Sequence, residues 1–223
     1  MLATIATRLK AWKLSILNLL FPRGCLECGT RDVLICTSCL RSVPPPNLNL
    51  PDWIQALFSY KHPLIRTSIW RLKYNYTYEL GILFGRALYD ALIVDISDER
   101  VFQNLPMYLV PIPITTKRRH ERGYNQAELL TREILRNDSG QIFKDGSQFL
   151  GRKEMKIRQS HTKNKSERLA NIQNSFFLKC PLPVHAHFII IDDVVTTGAT
   201  LEEARRILQE AGAEKVTAYT IAH

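Results

Sequence analysis

No apolar run in this sequence approaches the ~20 residues needed to span a bilayer, so no transmembrane helix is expected. The longest candidate, Leu14 to Phe21, is interrupted by Ser15 and Asn18. Arg8, Lys10 and Lys13 precede it as in a signal peptide, but no small-residue cleavage site follows. These absences point to a cytoplasmic protein, where thiols stay reduced and disulfides are disfavoured. Acidic residues are scarce relative to basic ones: 21 Asp and Glu face 30 Lys and Arg, for a formal net charge of +9. The excess is concentrated. Lys117 to Arg122 holds four basic residues against one acidic, and Arg152 to Arg168 holds seven against two. A charge run is by default a solvated face, but this density also suits a phosphate-rich partner such as a pyrophosphate, a nucleotide or a nucleic-acid backbone.

Near the N-terminus Leu2, Ile5, Leu9, Trp12, Ile16 and Leu20 recur at roughly helical spacing. An amphipathic helix over residues 1–22 is expected, packed on the protein or docked on a membrane surface or partner. Cysteine is sparse, with five residues in all, yet four of them are clustered. Cys25-Leu-Glu-Cys28 and Cys36-Thr-Ser-Cys39 are two C-x-x-C pairs, and together they complete a tetrahedral Cys₄ site. Gly24 and Gly29 flank the first pair and suit tight knuckle turns. A structural Zn²⁺ ribbon over residues 23–43 is expected, replacing a core that so short a segment cannot build. Disulfides and a thioredoxin-type redox pair are the competing readings. Cys180 has no partner by spacing. Val43-Pro44-Pro45-Pro46 then has the composition of a stiff linker, leaving residues 50–223 as the main domain.

Within that domain, alternation from Trp53 to Tyr60 predicts a strand. A helical stretch follows from about Pro63 to Val94, with breaks near Asn75 and Gly81. Lys73 on this stretch reads first as a surface lysine and second as a phosphate contact. Met107 to Pro113 predicts another strand, ended by its prolines. A basic loop with Lys117, Arg118, Arg119 and Arg122 leads to a helix beginning near Asn125 and Glu128. Leu129, Leu130, Ile134 and Leu135 form its buried side. Arg152 to Phe176 is highly charged, with no Gly or Pro until Pro181, and predicts a basic flap or an exposed helix. Gln159, Arg168 and Asn171 lie in it. Arg119, Arg122, Lys156, Arg158, Lys163 and Lys165 are the candidate nucleic-acid contacts.

The most informative segment is Ile189-Ile190-Ile191-Asp192-Asp193-Val194-Val195-Thr196-Thr197-Gly198-Ala199-Thr200. Three branched apolar residues suit a buried parallel strand. Two carboxylates stand at its end, and a hydroxyl-rich turn opens a helix. Thr200 and Glu203 match a capping box, and Gly212 suits the helix stop. Unpaired N–H groups and the positive helix end favour a phosphate in such a turn. An ordinary strand-to-helix turn is the bland alternative, which the acidic pair beside Thr-Thr-Gly-x-Thr disfavours. The segment resembles the ribose-phosphate signature of type I phosphoribosyltransferases, which bind phosphoribosyl pyrophosphate (PRPP). That resemblance implies that Thr196, Thr197, Gly198, Ala199 and Thr200 hold a 5′-phosphate. It also implies that Asp192 and Asp193, the candidate catalytic residues, face the ribose hydroxyls. Mg²⁺ would neutralise the pyrophosphate leaving group. If both loops meet at the carboxyl ends of their strands, Lys117 and Arg118 supply counter-charge to the pyrophosphate.

Several further stretches complete a more specific resemblance: Arg71-x-Lys73-Tyr74, Val110-Pro-Ile-Pro113, Arg122-Gly-Tyr-Asn-Gln126-Ala-Glu-Leu, Gln159, and Arg168-Leu-Ala-Asn171. With the Cys₄ pairs and the Asp192 segment, they resemble the ComF family of phosphoribosyltransferase-like proteins from about residue 20 onward. The expected architecture is α/β: a type I phosphoribosyltransferase-like, Rossmannoid parallel sheet with a small N-terminal Cys₄ zinc ribbon. The resemblance implies PRPP/Mg²⁺ binding, single-stranded DNA binding and a role with the DNA-uptake machinery of natural transformation. Lys117-Arg-Arg-His120 is more strongly charged than the family pattern needs. Two other readings stand beside this one: a nucleobase-salvage transferase, for which no base-binding element is recognisable, and a non-catalytic PRPP-sensing scaffold. Whether the chain catalyses a transfer, and to which acceptor, is left open by these residues.

Overall fold

The computed structural model describes residues 24–46, 50–98, 105–154 and 174–223. The expected helix over 1–22 lies outside the described residues. So do Lys156, Arg158, Gln159, Lys163, Lys165, Arg168 and Asn171. The chain divides into two compact units, Met1–Pro44 and Pro45–His223.

In the first unit an antiparallel bridge joins Gly24 to Arg31. A short helix α1, Thr37–Arg41, follows Cys36. The larger unit is built in the order β1 (Ile54–Phe58), α2 (Pro63–Tyr74), α3 (Tyr78–Asp98), β2 (Met107–Pro111), α4 (Thr116–Arg122) and α5 (Gln126–Asn137). It continues with β3 (Phe143–Asp145), β4 (Leu150–Arg152), β5 (Phe176–Leu178), β6 (His187–Val194), α6 (Ala199–Glu210) and β7 (Lys215–Ala222). Five strands form a parallel sheet in the order β1-β7-β6-β2-β3. β4 and β5 form a separate antiparallel pair.

β6 lies at the centre, and Phe188 to Ile191 are fully buried. That is why the strand reads as a continuous apolar run rather than an alternation: helices cover both faces. Phe188 and Ile190 join Leu201, Ala204 and Leu208 of α6 in one core cluster with Val110, Phe149 and Phe176. Ile189 faces the other way, toward Leu92 and Ile96 of α3. α5 packs against α3 and against β2 and β6.

Three local readings are corrected here. Gly81 does not break the helix, because α3 runs unbroken from Tyr78 to Asp98. Its role is close approach: a Cβ there would stand 2.4 Å from Leu129 Cδ2, and one on Gly85 would stand 2.5 Å from Glu133 Cβ. The segment of the basic loop from Thr116 to Arg122 is helical. The Thr115 hydroxyl accepts from the Arg118 N–H at 3.3 Å to start it, and Gly123, at φ +72°, ends it. Thr200 and Glu203 form no capping box. Gly198, at φ +78°, occupies the cap position, so Thr200 lies within the first turn and the Glu203 carboxylate accepts from the Asn174 N–H at 2.6 Å. At the other end of α6, the Ala213 N–H reaches the Leu208 carbonyl at 3.0 Å and the Gly212 N–H reaches Gln209 at 2.9 Å. This is a Schellman stop.

Candidate functional site

The strand order creates the site. After β2 the chain passes through α4 and α5 to β3 on one side, whereas after β6 it passes through α6 to β7 on the other. β2 and β6 are neighbours, paired up to Pro111 and Ile191. Their connections diverge at the carboxyl ends, which opens the crevice where α/β sheets take ligands. The turn after β6 therefore meets the segment after β2, although the two are far apart in the chain.

Asp192 and Asp193 end β6. The Asp192 carboxylate accepts the N–H of Asp193 at 2.8 Å, and Asp193 is itself buried. Burial, and then the charge of Asp193, push the Asp192 carboxyl up from 3.8 to about 7. Such a group gains from any donor or positive charge that approaches. A ribose hydroxyl or a hydrated Mg²⁺ would satisfy it, so the residues present fit both. Lys73, from the last turn of α2, lies 2.9 Å from Asp193 Oδ1 with only 22% of its side chain exposed. The surface-lysine reading of Lys73 is thereby replaced by a place in the site.

Beyond the acidic pair, Thr196 and Thr197 are exposed, and Gly198 turns the backbone into α6. The cap residue Gly198 has no side chain to offer, and the Ala199 N–H meets the Thr197 hydroxyl only at 3.5 Å, so the first turn keeps donor capacity for another acceptor. Ala199 and Thr200 lie half-buried in the first turn.

Arg152 reaches the same region from β4. Its guanidinium donates to the Pro113 carbonyl at 3.4 Å and lies 5.1 Å from the Phe176 ring centroid. Burial, and then the charge of Arg118, lower its pKa, while Asp192 opposes that. The structure thus brings Arg118, Arg152 and Asp192 within electrostatic range of one another. Arg152 was legible only as part of a basic run, because its position depends on the β4–β5 pair. Lys117 is tied differently, to Glu121 at 3.9 Å on the exposed side of α4. Arg119 pairs with Glu128. Arg122 donates to Gln126 at 3.0 Å and lies over the Tyr74 ring. Of the basic helix, Arg118 is the member electrostatically linked to the pocket.

In the first unit the four sulfurs of Cys25, Cys28, Cys36 and Cys39 all lie within 4.8 Å of one another. Cys28 and Cys36 are 3.6 Å apart, close to the edge of a tetrahedron with metal–sulfur bonds of ~2.3 Å. The Cys36 N–H points at the Cys25 sulfur at 3.4 Å. Backbone donors, first at Cys28 and then at Cys36, draw the Cys25 thiol down to about 6, toward the thiolate that a metal requires. Hydrogen bonding with Cys36 and Cys28 pushes the Cys39 thiol up, where it holds the cluster's proton until a metal displaces it. The set fits one tetrahedral ion. Cys180 lies elsewhere, with its thiol 3.6 Å from the Gln148 carbonyl. Among the described residues no helix is long and apolar enough to cross a membrane.

Comparison with known proteins agrees with this geometry. A family model described as a phosphoribosyl transferase domain matches residues 145–223. The DNA utilization protein YhgH of Escherichia coli K12 is 30% identical over 202 residues, covering 88% of this chain and 82% of that protein. Competence protein F of Haemophilus influenzae is 28% identical, with 84% and 77% covered. Competence protein ComFC of Streptococcus pneumoniae is 29% identical over 158 residues, with 68% and 66% covered.

Proposed function

Since the chain belongs to the ComF family of phosphoribosyltransferase-like proteins, we propose that it binds a phosphoribosyl pyrophosphate-type ligand with Mg²⁺ and single-stranded DNA, and that it assists DNA uptake in natural transformation. The observation that carries the pocket is the acidic pair and glycine turn at the carboxyl end of the central strand, facing Arg118 and Arg152 across the β2–β6 crevice. The ligand's 5′-phosphate takes the opening N–H groups of α6 together with the Thr196, Thr197 and Thr200 hydroxyls. Asp192 and Asp193 take its ribose hydroxyls, and Lys73 gives up Asp193 in exchange. The pyrophosphate lies toward Arg118 and Arg152, with Lys117 at the rim. Mg²⁺ supplies charge neutralisation at that end. The DNA reading rests on the family's competence proteins and on the basic helix, with Arg119 and Arg122 as backbone contacts.

The four cysteines hold Zn²⁺ in this reading, and the metal substitutes for a hydrophobic core in a very small unit. A soluble protein of the cytoplasm is the setting that follows from a nucleotide-type ligand and reduced thiols.

Calorimetric titration with PRPP and Mg²⁺ tests the pocket. Saturable binding that is lost in the Asp192→Ala, Asp193→Ala variant is expected. Equal affinity in that variant would reject the site. Pyrophosphate release with a nucleobase would move the reading to a salvage transferase. Complementation of a deletion strain with wild type or Asp193→Ala tests the pathway.

A further inference from the structure

The carboxyl end of the sheet carries a patch of aromatic side chains that the pocket does not use. Trp70 and Tyr74 lie on α2, one turn apart, with ring centroids 5.8 Å apart. Tyr76 and Tyr78 follow in the turn into α3, and both contact Tyr124, at 6.2 and 4.9 Å between centroids. Arg122 joins the two groups: its guanidinium lies 5.4 Å from the Tyr74 ring centroid, and Tyr124 lies two residues further along the chain. Trp70, Tyr74, Tyr76 and Tyr78 are each about half exposed, at 54%, 51%, 51% and 46%. Large rings in water cost free energy, and a contiguous exposed group of them marks a surface that something covers.

The backbone holds the patch in place. Tyr76 stands at φ +51°, a left-handed conformation that a bulky residue rarely adopts. Its ring lies where a Cβ on Gly123 would stand, 2.5 Å from Tyr76 Cε1. Tyr124 donates its hydroxyl to the Leu72 carbonyl. Lys73, between the two aromatic residues of α2, reaches the Asp193 carboxylate, so the patch borders the pocket.

We infer that Trp70, Tyr74, Tyr76, Tyr78 and Tyr124, with Arg122 among them, form a stacking platform for the unpaired bases of single-stranded DNA. The occupant is argued from charge and shape together. The chain is strongly cationic at +9, and Lys117, Arg118 and Arg119 extend the positive surface along α4 beside the platform. π-faces interleaved with guanidinium groups suit a strand whose bases stack while its phosphates meet arginine. Duplex DNA hides its base faces and gains nothing from such a surface. A protein partner would not call for this density of positive charge. The inference rests on the DNA reading above and adds to it the surface that the bases occupy.

Fluorescence anisotropy on the full chain at one fixed salt concentration tests it, with oligothymidylate, an abasic oligomer of the same length and a duplex as probes. Wild type binds oligothymidylate more tightly than the other two. Trp70→Ala with Tyr74→Ala weakens oligothymidylate binding by about tenfold or more and leaves abasic binding unchanged. Trp70→Phe with Tyr74→Phe retains wild-type affinity, and its thermal melt alongside that of the alanine variant separates stacking from folding. Equal affinity of wild type for oligothymidylate and the abasic oligomer overturns the platform and leaves phosphate-only binding. Wild-type affinity in the alanine variant also overturns it and assigns the patch to another occupant. Failure of wild type to bind any probe removes the DNA reading itself.

Discussion

Lys73 Nζ lies 2.9 Å from Asp193 Oδ1, joining the end of helix α2 to the end of the central strand. The pair does two things. It balances a buried carboxylate and, through its charge, moderates the raised pKa of Asp192. In the pocket proposed above it is also the bond that the ligand's ribose hydroxyls would exchange.

Removing the cation therefore leaves the buried Asp193 without its ion-pair partner. Lys73→Met is expected to destabilise the fold by about 1–2 kcal/mol, less than a fully buried pair would lose, because the lysine is partly exposed. Urea unfolding of wild type and variant measures it. An unchanged midpoint would mean that water already screens the pair.

Asp192→Asn is expected to act in the opposite direction. The Asp192 carboxyl is pushed up from 3.8 to about 7, so the folded state holds this proton more tightly than the unfolded chain. Its contribution to stability is full at low pH and is lost as pH rises from about 4 to about 7. The amide retains an oxygen for the Asp193 N–H and avoids the buried charge. The variant should be more stable than wild type by about 1–2 kcal/mol near pH 8, and its advantage should shrink toward pH 4. Ligand binding should fall at the same time. A variant less stable at every pH contradicts this.

His187 has the reverse sign. It is buried at the start of β6, its Nε2 is 2.8 Å from Thr217 Oγ1, and burial lowers its pKa from 6.5 to about 4. The folded state binds this proton more weakly than the unfolded chain, so stability is lost as pH falls from about 6.5 toward 4. The full effect is of the order of 3 kcal/mol. His187→Asn should flatten this part of the stability–pH curve, as followed by denaturant unfolding across the range. Parallel curves for the two proteins would exclude His187 as the source.

The α3–α5 contact predicts a glycine effect against propensity. Alanine normally favours a helix interior over glycine by about 1 kcal/mol. At Gly85 the added Cβ meets Glu133 Cβ at 2.5 Å and the Leu130 carbonyl at 3.4 Å, so the helices must separate. Overpacking costs of about 1–3 kcal/mol should outweigh the gain, and Gly85→Ala should lower the melting temperature. A rise in that temperature would show that the two helices adjust without loss.

For the cysteines, one zinc ion per chain is expected, released by a strong chelator and quantified with a colorimetric indicator. Because thiols lose protons to bind metal, retention should weaken as pH falls. A protein with two disulfides and no metal would contradict the assignment.

Local features are legible in the sequence because their causes are local. Ile189 to Ile191 announce a doubly covered strand, and Asn125 caps α5 by accepting from the Ala127 N–H at 3.1 Å. The spacing of the cysteines alone places four sulfurs together. Where sequence and structure differ, the cause is non-local or a matter of turn geometry. Gly81 looked like a break because sequence shows the missing side chain but not the Leu129 that occupies its place. Thr200 resembles a cap because its spacing to Glu203 fits, yet the left-handed turn at Gly198 starts the helix two residues earlier.

By itself the sequence determined the acidic pair, the glycine turn that follows it and the four-thiol cluster, since each depends on neighbours along the chain. The tertiary structure decided which charges surround that pair. Lys73, Arg118 and Arg152 arrive from three elements distant in sequence. They converge because the connections after β2 and β6 diverge at one end of the sheet. The raised pKa of Asp192 and the exposed aromatic patch beside Asp193 belong to that convergence: burial and through-space charge have no signature in local spacing.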